Sequence, residues 1–313
     1  MQPLRAPVIS LVAVAVVALA LAASAAAAPH YPVGTAATGY AAELAAPTSS
    51  PPGVNVWTCK PTAARPYPVV LLPGTLYNLA ESWQALGPML ANDGYCVYGL
   101  SYGADQLTAL TGGRVAAVGE IAHAARELGA FITRVRKATG AAQVDIVGWS
   151  QGAMMPRWYL KFDHGARYLH ALVGLAPSNH GTTVDGLFAL IDADTLIGLP
   201  APLTLADCPA CTEQEAGSPF LTKLNAGPDT VPGVRYTVIE STHDEVVTPY
   251  TSAFLAGPAV TNITLQDQCP LDLSDHLAMP YDTTALEDVV NALGPADAGF
   301  KPSCALALPV LGG

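Results

Sequence analysis

A chain of 313 residues with 25 acidic and 14 basic side chains carries a formal charge of −11 at pH 7. That balance argues against nucleic acid as a partner and against electrostatic docking on anionic lipid, since both call for a basic surface. With charged residues at 12% and hydrophobic ones at 51%, the chain has the length and apolar content for one large domain with a substantial core.

Residues 1–28 stand apart. Arg5 precedes an apolar run from Val8 to Ala22, and a small-residue tract, Ser24 to Ala28, follows. This is the layout of a secretory signal peptide, with cleavage near Ala27 or Ala28. An uncleaved anchor is the rival reading, but alanine is weakly hydrophobic and no basic stop follows. The mature chain is therefore expected outside the cell with no membrane span; a monomer is expected separately. Six cysteines, an even number, suit that oxidising compartment and three disulfides.

Residues 29–54, rich in Ala, Pro, Thr and Ser, are expected to form an irregular N-terminal arm. From 55 to 313 short apolar runs alternate with amphipathic stretches, which predicts a mostly parallel central sheet with helices on both faces. Val69 to Leu72 reads as a strand ended by Pro73-Gly74, Ser82 to Asn92 as a helix, and Cys96 to Leu100 as a strand. A long helix is predicted over Val115 to Thr139, stopped by Gly140. Val144 to Val147 is a strand leading through Gly148-Trp149-Ser150-Gln151-Gly152 into a helix that runs through Tyr159. Ala171 to Leu175, Arg235 to Ile239 and Asn262 to Leu265 are the remaining predicted strands. No strand is readable around 180–230, where a Leu/Ile-rich stretch, Leu187 to Leu205, suggests a cap or lid inserted over one edge of the sheet.

Gly148-Trp149-Ser150-Gln151-Gly152 is a G-x-S-x-G pentapeptide between a predicted strand and a predicted helix. In the α/β-hydrolase fold this turn exposes a nucleophilic serine above the sheet, and glycine at 148 and 152 lets strand and helix cross closely. A serine nucleophile needs a base, and the base needs an orienting acid. In this fold they follow in the order Ser, Asp/Glu, His. That order removes His30 and His123. His164 and His170 come too soon after Ser150, His180 reads as loop structure or pocket wall, and His243 lies on the loop expected to carry the acid. His276 remains as the base. For the acid, Asp244 follows the Arg235 to Ile239 strand, with Glu245 as its nearest rival; Glu240 belongs to the strand end, and Asp267 and Asp275 lie too near His276. The oxyanion hole requires the N–H after the nucleophile, that of Gln151, and one from the loop after an early strand. Thr75, in Pro73-Gly74-Thr75, supplies the candidate, and its hydroxyl could add a third donor.

Leu71-Leu72-Pro73-Gly74-Thr75, Trp149-Ser150-Gln151-Gly152, Asp244-Glu245-Val246-Val247-Thr248-Pro249 and Asp275-His276 together resemble the yeast lipase B type. Residues 55 to 305 are similar more closely to the secreted class 2 lipases of actinobacteria, in Gly94 to Val97, Val144 to Ser150, Gly174 to Gly181 and Asp244 to Ser252. The resemblance implies hydrolysis of carboxylic esters, acylglycerols among them, with Ser150, Asp244 and His276 as triad and Thr75 and Gln151 as oxyanion donors. It also implies disulfides Cys59–Cys96 and Cys269–Cys304. Cys208-Pro209-Ala210-Cys211 has no second ligand pair nearby, so a short-loop disulfide is preferred to a zinc or redox motif. No cofactor or metal is expected. The substrate is expected to be a lipid or other ester, with a lipid–water interface as one place of encounter. A polyesterase with the same machinery is the alternative, and a non-catalytic lipid-binding α/β-hydrolase a further one. His243, where an aromatic usually precedes the acid, departs from the family pattern. Asn262-Ile263-Thr264 is a glycosylation sequon without meaning in a bacterial source.

Overall fold

Six short stretches become strands: the inner ones are apolar runs too short for a buried helix and closed by turn residues, while Val260–Thr264 is a more polar, less buried edge. They are β1 (Val69–Leu72), β2 (Val97–Gly99), β3 (Val144–Trp149), β4 (Leu169–Leu175), β5 (Arg235–Glu240) and β6 (Val260–Thr264). The structure, a computed structural model, describes residues 30–189, 208–295, 297 and 299–313, and the sheet belongs to the unit Tyr31–Gly313. All pairings are parallel, in the order β2-β1-β3-β4-β5-β6. β1 and β3 are buried along their whole length, as a parallel sheet covered on both faces requires.

The helices that cover the sheet and carry the site are α1 (Ala36–Ala45), α2 (Leu79–Ser82), α3 (Leu86–Asn92), α4 (Ile121–Thr139), α5 (Gln151–Phe162), α6 (Pro209–Glu213), α7 (Pro219–Leu224) and α8 (Thr283–Leu293). From β1 the chain moves to β2 on one side, whereas from β3 it runs through β4, β5 and β6 on the other. Right-handed crossovers then put the covering helices on opposite faces, with a topological switch point between the carboxyl ends of β1 and β3. Both Pro73-Gly74-Thr75 and Ser150 sit at that point.

Three local expectations fail for physical reasons. The arm over 29–54 is not irregular throughout: Ala36–Ala45 form α1, and Glu43 on it pairs with Arg114 at 3.0 Å. The helix predicted over Ser82 to Asn92 is broken into α2 and α3, because the fully buried Trp83 leaves helical geometry at φ −125° and ψ 25°. The helix predicted from Val115 starts only at Ile121. Val115 to Val118 are buried, and the amides of Ala117 and Val118 donate to Tyr102 and Gly103 carbonyls at 2.7 and 3.2 Å. Tertiary pairing outweighs helical propensity there.

The described part of the connection from β4 to β5 holds α6 and α7 and no strand. Of the Leu187 to Leu205 stretch, residues 190–205 lie outside the described residues. Among the described residues no helix is long and apolar enough to cross a membrane.

Candidate active site

Ser150 stands between β3 and α5 with φ 55° and ψ −125°, a backbone region that costs a side-chain-bearing residue strain. The crossing is close. A Cβ on Gly148 would strike the Gly152 backbone, and one on Gly152 would strike the carbonyl oxygens of Leu72 and Pro73. The loop after β1 lies directly against the serine: a Cβ on Gly74 would stand 3.2 Å from Ser150 Cβ. The Ser150 amide donates to Leu175 O at 2.9 Å, tying the turn to the end of β4.

Asp244 and His276 meet. His276 Nδ1 lies 2.7 Å from Asp244 Oδ2, and both side chains are shut off from solvent. The other carboxylate oxygen, Oδ1, accepts the amides of Val246 and Val247 at 2.8 and 2.7 Å. Burial disfavours the imidazolium, but the charge and hydrogen bond of Asp244, with the charges of Glu245 and Asp275, raise the His276 pKa above its ordinary value. The Trp149 indole N–H donates to His276 O at 3.1 Å, and the two rings are 5.5 Å apart. Asp275 Oδ1 accepts the amides of Ala278 and Val310, both at 2.9 Å, so His276 rides on a braced loop. Nε2 of His276 is buried and has no hydrogen-bond partner among the described residues, Ser150 included. The imidazole is thus beside the Ser150 turn but not hydrogen-bonded to Ser150.

The amides of Thr75 and Gln151 donate to no other described residue. Gln151 opens α5, where first-turn N–H groups are unpaired and favour negative charge. The Thr75 hydroxyl, a candidate third donor from the sequence, is already committed. It donates to Gln151 Oε1 at 2.6 Å and accepts from Gln214 Nε2 at 2.8 Å. Gln214 also reaches Gln151 Oε1 at 3.2 Å and Ala210 O at 3.0 Å, and accepts from Ser178 Oγ at 2.7 Å. It therefore pins the loop of Thr75 to the start of α5, the two segments that carry the candidate donors.

Sequence reasoning misses Gln214, because a glutamine in the polar run Thr212-Glu213-Gln214-Glu215 carries no local signal. Glu240, read from the sequence as a strand end, does close β5. It is fully buried, with Oε1 accepting the Ser241 amide at 2.8 Å. Burial first, then the charge of Asp244, pushes its carboxyl well above the usual carboxylate range. That shift favours the uncharged form of Glu240 beside the Asp244 carboxylate. An acid in line with Val238-Ile239 is the available clue.

The remaining candidates lie elsewhere. Glu245, the rival acid, faces the His276 amide with Oε2 at 3.3 Å. His180 pairs with Asp229 at 3.2 Å beside the buried Arg157, which reaches Asn179 O at 2.8 Å and Asn225 Oδ1 at 2.7 Å. That network joins α5 to the loops at 179 and 225. His243 is exposed. Disulfides join Cys59 to Cys96, Cys208 to Cys211 and Cys269 to Cys304. The described residues hold no cluster of His, Cys, Asp or Glu placed to bind a metal ion.

A family model described as Lipase (class 2) matches residues 66–287. Among solved structures, Aspergillus fumigatus lipase B superposes with a TM-score of 0.58 at 22% identity, over 77% of this chain and 57% of that one. The mature form of the Bacillus licheniformis lipase BlEst2 gives a TM-score of 0.54 at 14% identity, over 75% of this chain and 95% of that one. At such identities the likeness concerns the fold. This chain thus spans just over half of the Aspergillus chain. No curated protein matches it. The parallel sheet and these neighbours identify the α/β-hydrolase fold expected from the sequence.

Proposed function

Because the chain belongs to the class 2 lipase family, which makes it an ester-hydrolysing enzyme, we propose that it is a secreted serine hydrolase acting through an acyl-enzyme on Ser150. Its substrates are carboxylic esters of hydrophobic acyl chains, triacylglycerols included. Residues 1–28 are read as an export signal, and three disulfides suit that route. Within the family we group it with the secreted actinobacterial members, on the likeness of Gly94 to Val97, Val144 to Ser150, Gly174 to Gly181 and Asp244 to Ser252.

The observation that carries this reading is the switch-point assembly. A strained serine, a buried Asp–His pair and two unpaired amides gather where the parallel strands end. Asp244 holds Nδ1 of His276, which leaves Nε2 as the nitrogen that can take a proton. In the first half-reaction His276 removes the Ser150 proton as Oγ attacks the ester carbonyl, and Asp244 stabilises the imidazolium. The amides of Thr75 and Gln151 receive the oxyanion; losing one such donor costs roughly 2.7–4 kcal/mol of transition-state stabilisation. His276 then protonates the departing alcohol, and water repeats the sequence on the acyl-enzyme. Gln214 acts by fixing the Thr75 loop and the Gln151 end of α5 before substrate arrives.

Hydrolysis of nitrophenyl esters of graded chain length and of an emulsified triacylglycerol tests the proposal. Ser150→Ala is expected to cut kcat by about 10⁴-fold or more while the protein stays folded. Retention of about a tenth of the activity would overturn the role of Ser150.

A further inference from the structure

The loop that leads into His276 is joined to residues 304–313 by an isolated parallel bridge. Asp272 pairs with Ala307, the Leu273 amide donates to Ala307 O at 3.2 Å, and the Cys269–Cys304 disulfide closes one end. Asp272 and Ala307 both point inward, at 0% and 2% exposure. Side chains alternate along extended backbone, so the neighbours of an inward pair turn outward together. Those neighbours are Leu271, Leu273, Leu306 and Leu308, and they are 59%, 40%, 57% and 44% exposed. Leu311, 56% exposed, follows in the turn closed by the Leu308–Gly312 bridge.

Single exposed leucines are ordinary, but five on two adjoining segments form a patch of the kind that marks an interaction surface. Its charge says what it suits. From Pro302 to Gly313 there is no charged side chain. On the partner segment, Cys269 to Ser274, Asp272 is the one acid, turned in to accept the Ser274 amide at 2.9 Å. A charge-free patch on a chain of formal charge −11 matches an uncharged surface and opposes an anionic one. It is also continuous with the catalytic loop. Leu273 lies three residues before His276, and Asp275 holds the Val310 amide at 2.9 Å.

We propose that Leu271, Leu273, Leu306, Leu308 and Leu311 form the face by which this enzyme rests on an uncharged lipid–water interface, beside the loop that carries its base. The inference builds on the ester-hydrolase reading by naming how the enzyme meets an insoluble substrate. The patch binds the surface through apolar burial, so binding is insensitive to salt. The acyl chain is then delivered from that surface to the carboxyl ends of the strands.

The test uses the Ser150→Ala chain, so that binding is read without turnover, with phosphatidylcholine vesicles and with vesicles containing phosphatidylglycerol. The expected result is partition onto phosphatidylcholine that is unchanged by high salt and not improved by the anionic lipid. Leu271→Ser/Leu306→Ser/Leu308→Ser should weaken that partition by about tenfold or more. In the active chain the same triple should lower emulsion hydrolysis to a similar degree and leave kcat/KM for a dissolved short-chain ester within about twofold. The matching triple to Met should keep both, which guards against a folding artefact. Unchanged partition in the Ser triple, partition that needs phosphatidylglycerol, or sedimentation showing a dimer that the triple dissolves would overturn the inference. In the last case the occupant is a second copy. Vesicle binding by a chain that cleaves no ester would instead sink the functional proposal and leave this surface standing.

Discussion

Two aspartate–histidine pairs sit at opposite ends of one sheet. Asp244 and His276 meet at 2.7 Å beyond the carboxyl ends of the strands, and Asp145 and His170 meet at 2.8 Å near the amino ends of β3 and β4. Measured as a pair of side chains, they are nearly alike. Their surroundings differ. Asp145 and His170 belong to regular strands, Tyr67 stacks on the imidazole at 3.8 Å, and a cavity of about 370 Å³ with Arg65 and Arg235 opens beside them. Burial raises the Asp145 carboxyl above its ordinary value, against the pull of His170 and Arg235. Among the described residues, neither a strained serine nor a helix N-terminus accompanies that pair. In a parallel sheet the helices begin at the carboxyl ends, so helix N-termini and the loops leading into them collect there and not at the amino ends. The environment, and not the distance, distinguishes the pair proposed as catalytic from the one at the amino ends.

Matched substitutions should separate them most strongly. Asp244→Asn is expected to lower kcat by about 10⁴-fold, because the imidazole is then held in the wrong tautomer. Asp145→Asn should leave kcat within about twofold. Comparable losses from both would erase the distinction. In stability the amino-end pair should speak: His170→Ala strips a buried carboxylate of a partner and should cost on the order of 1–3 kcal/mol in denaturant unfolding, at unchanged kcat.

These contrasts also show what is legible in the sequence. The inner strands β1, β3 and β4 can be read because parallel, doubly buried strands are nearly continuous apolar runs. The strained turn at Ser150 is legible from two glycines at fixed offsets, and the meeting of Asp244 with His276 from chain order together with the predicted strand positions. Asp145 and His170 give no sign of meeting, since strand pairing brings together residues 25 positions apart. Gln214 is hidden for the same reason: its partners Thr75 and Gln151 are 139 and 63 positions away. The broken helix at Trp83 and the late start of α4 reflect burial and pairing that local propensity does not register.

The smallest effect expected concerns pH. His276 must be neutral to accept the Ser150 proton, so kcat/KM should fall on acidification through a pKa above the ordinary histidine value of about 6.5. Glu245 helps to raise that pKa. Glu245→Gln removes its negative charge and should shift the acid limb downward by a few tenths of a unit, on the order expected for a partly exposed group. An upward shift would contradict the electrostatic assignment.

Everything in the functional account depends on Ser150 being made nucleophilic by His276. Treatment with an alkyl fluorophosphonate and then peptide mass analysis asks this directly. A single phosphonyl adduct on the peptide containing Ser150, absent in Ser150→Ala and strongly slowed in His276→Ala, is the predicted result. An adduct on another residue, or equal labelling of the His276→Ala chain, would contradict it.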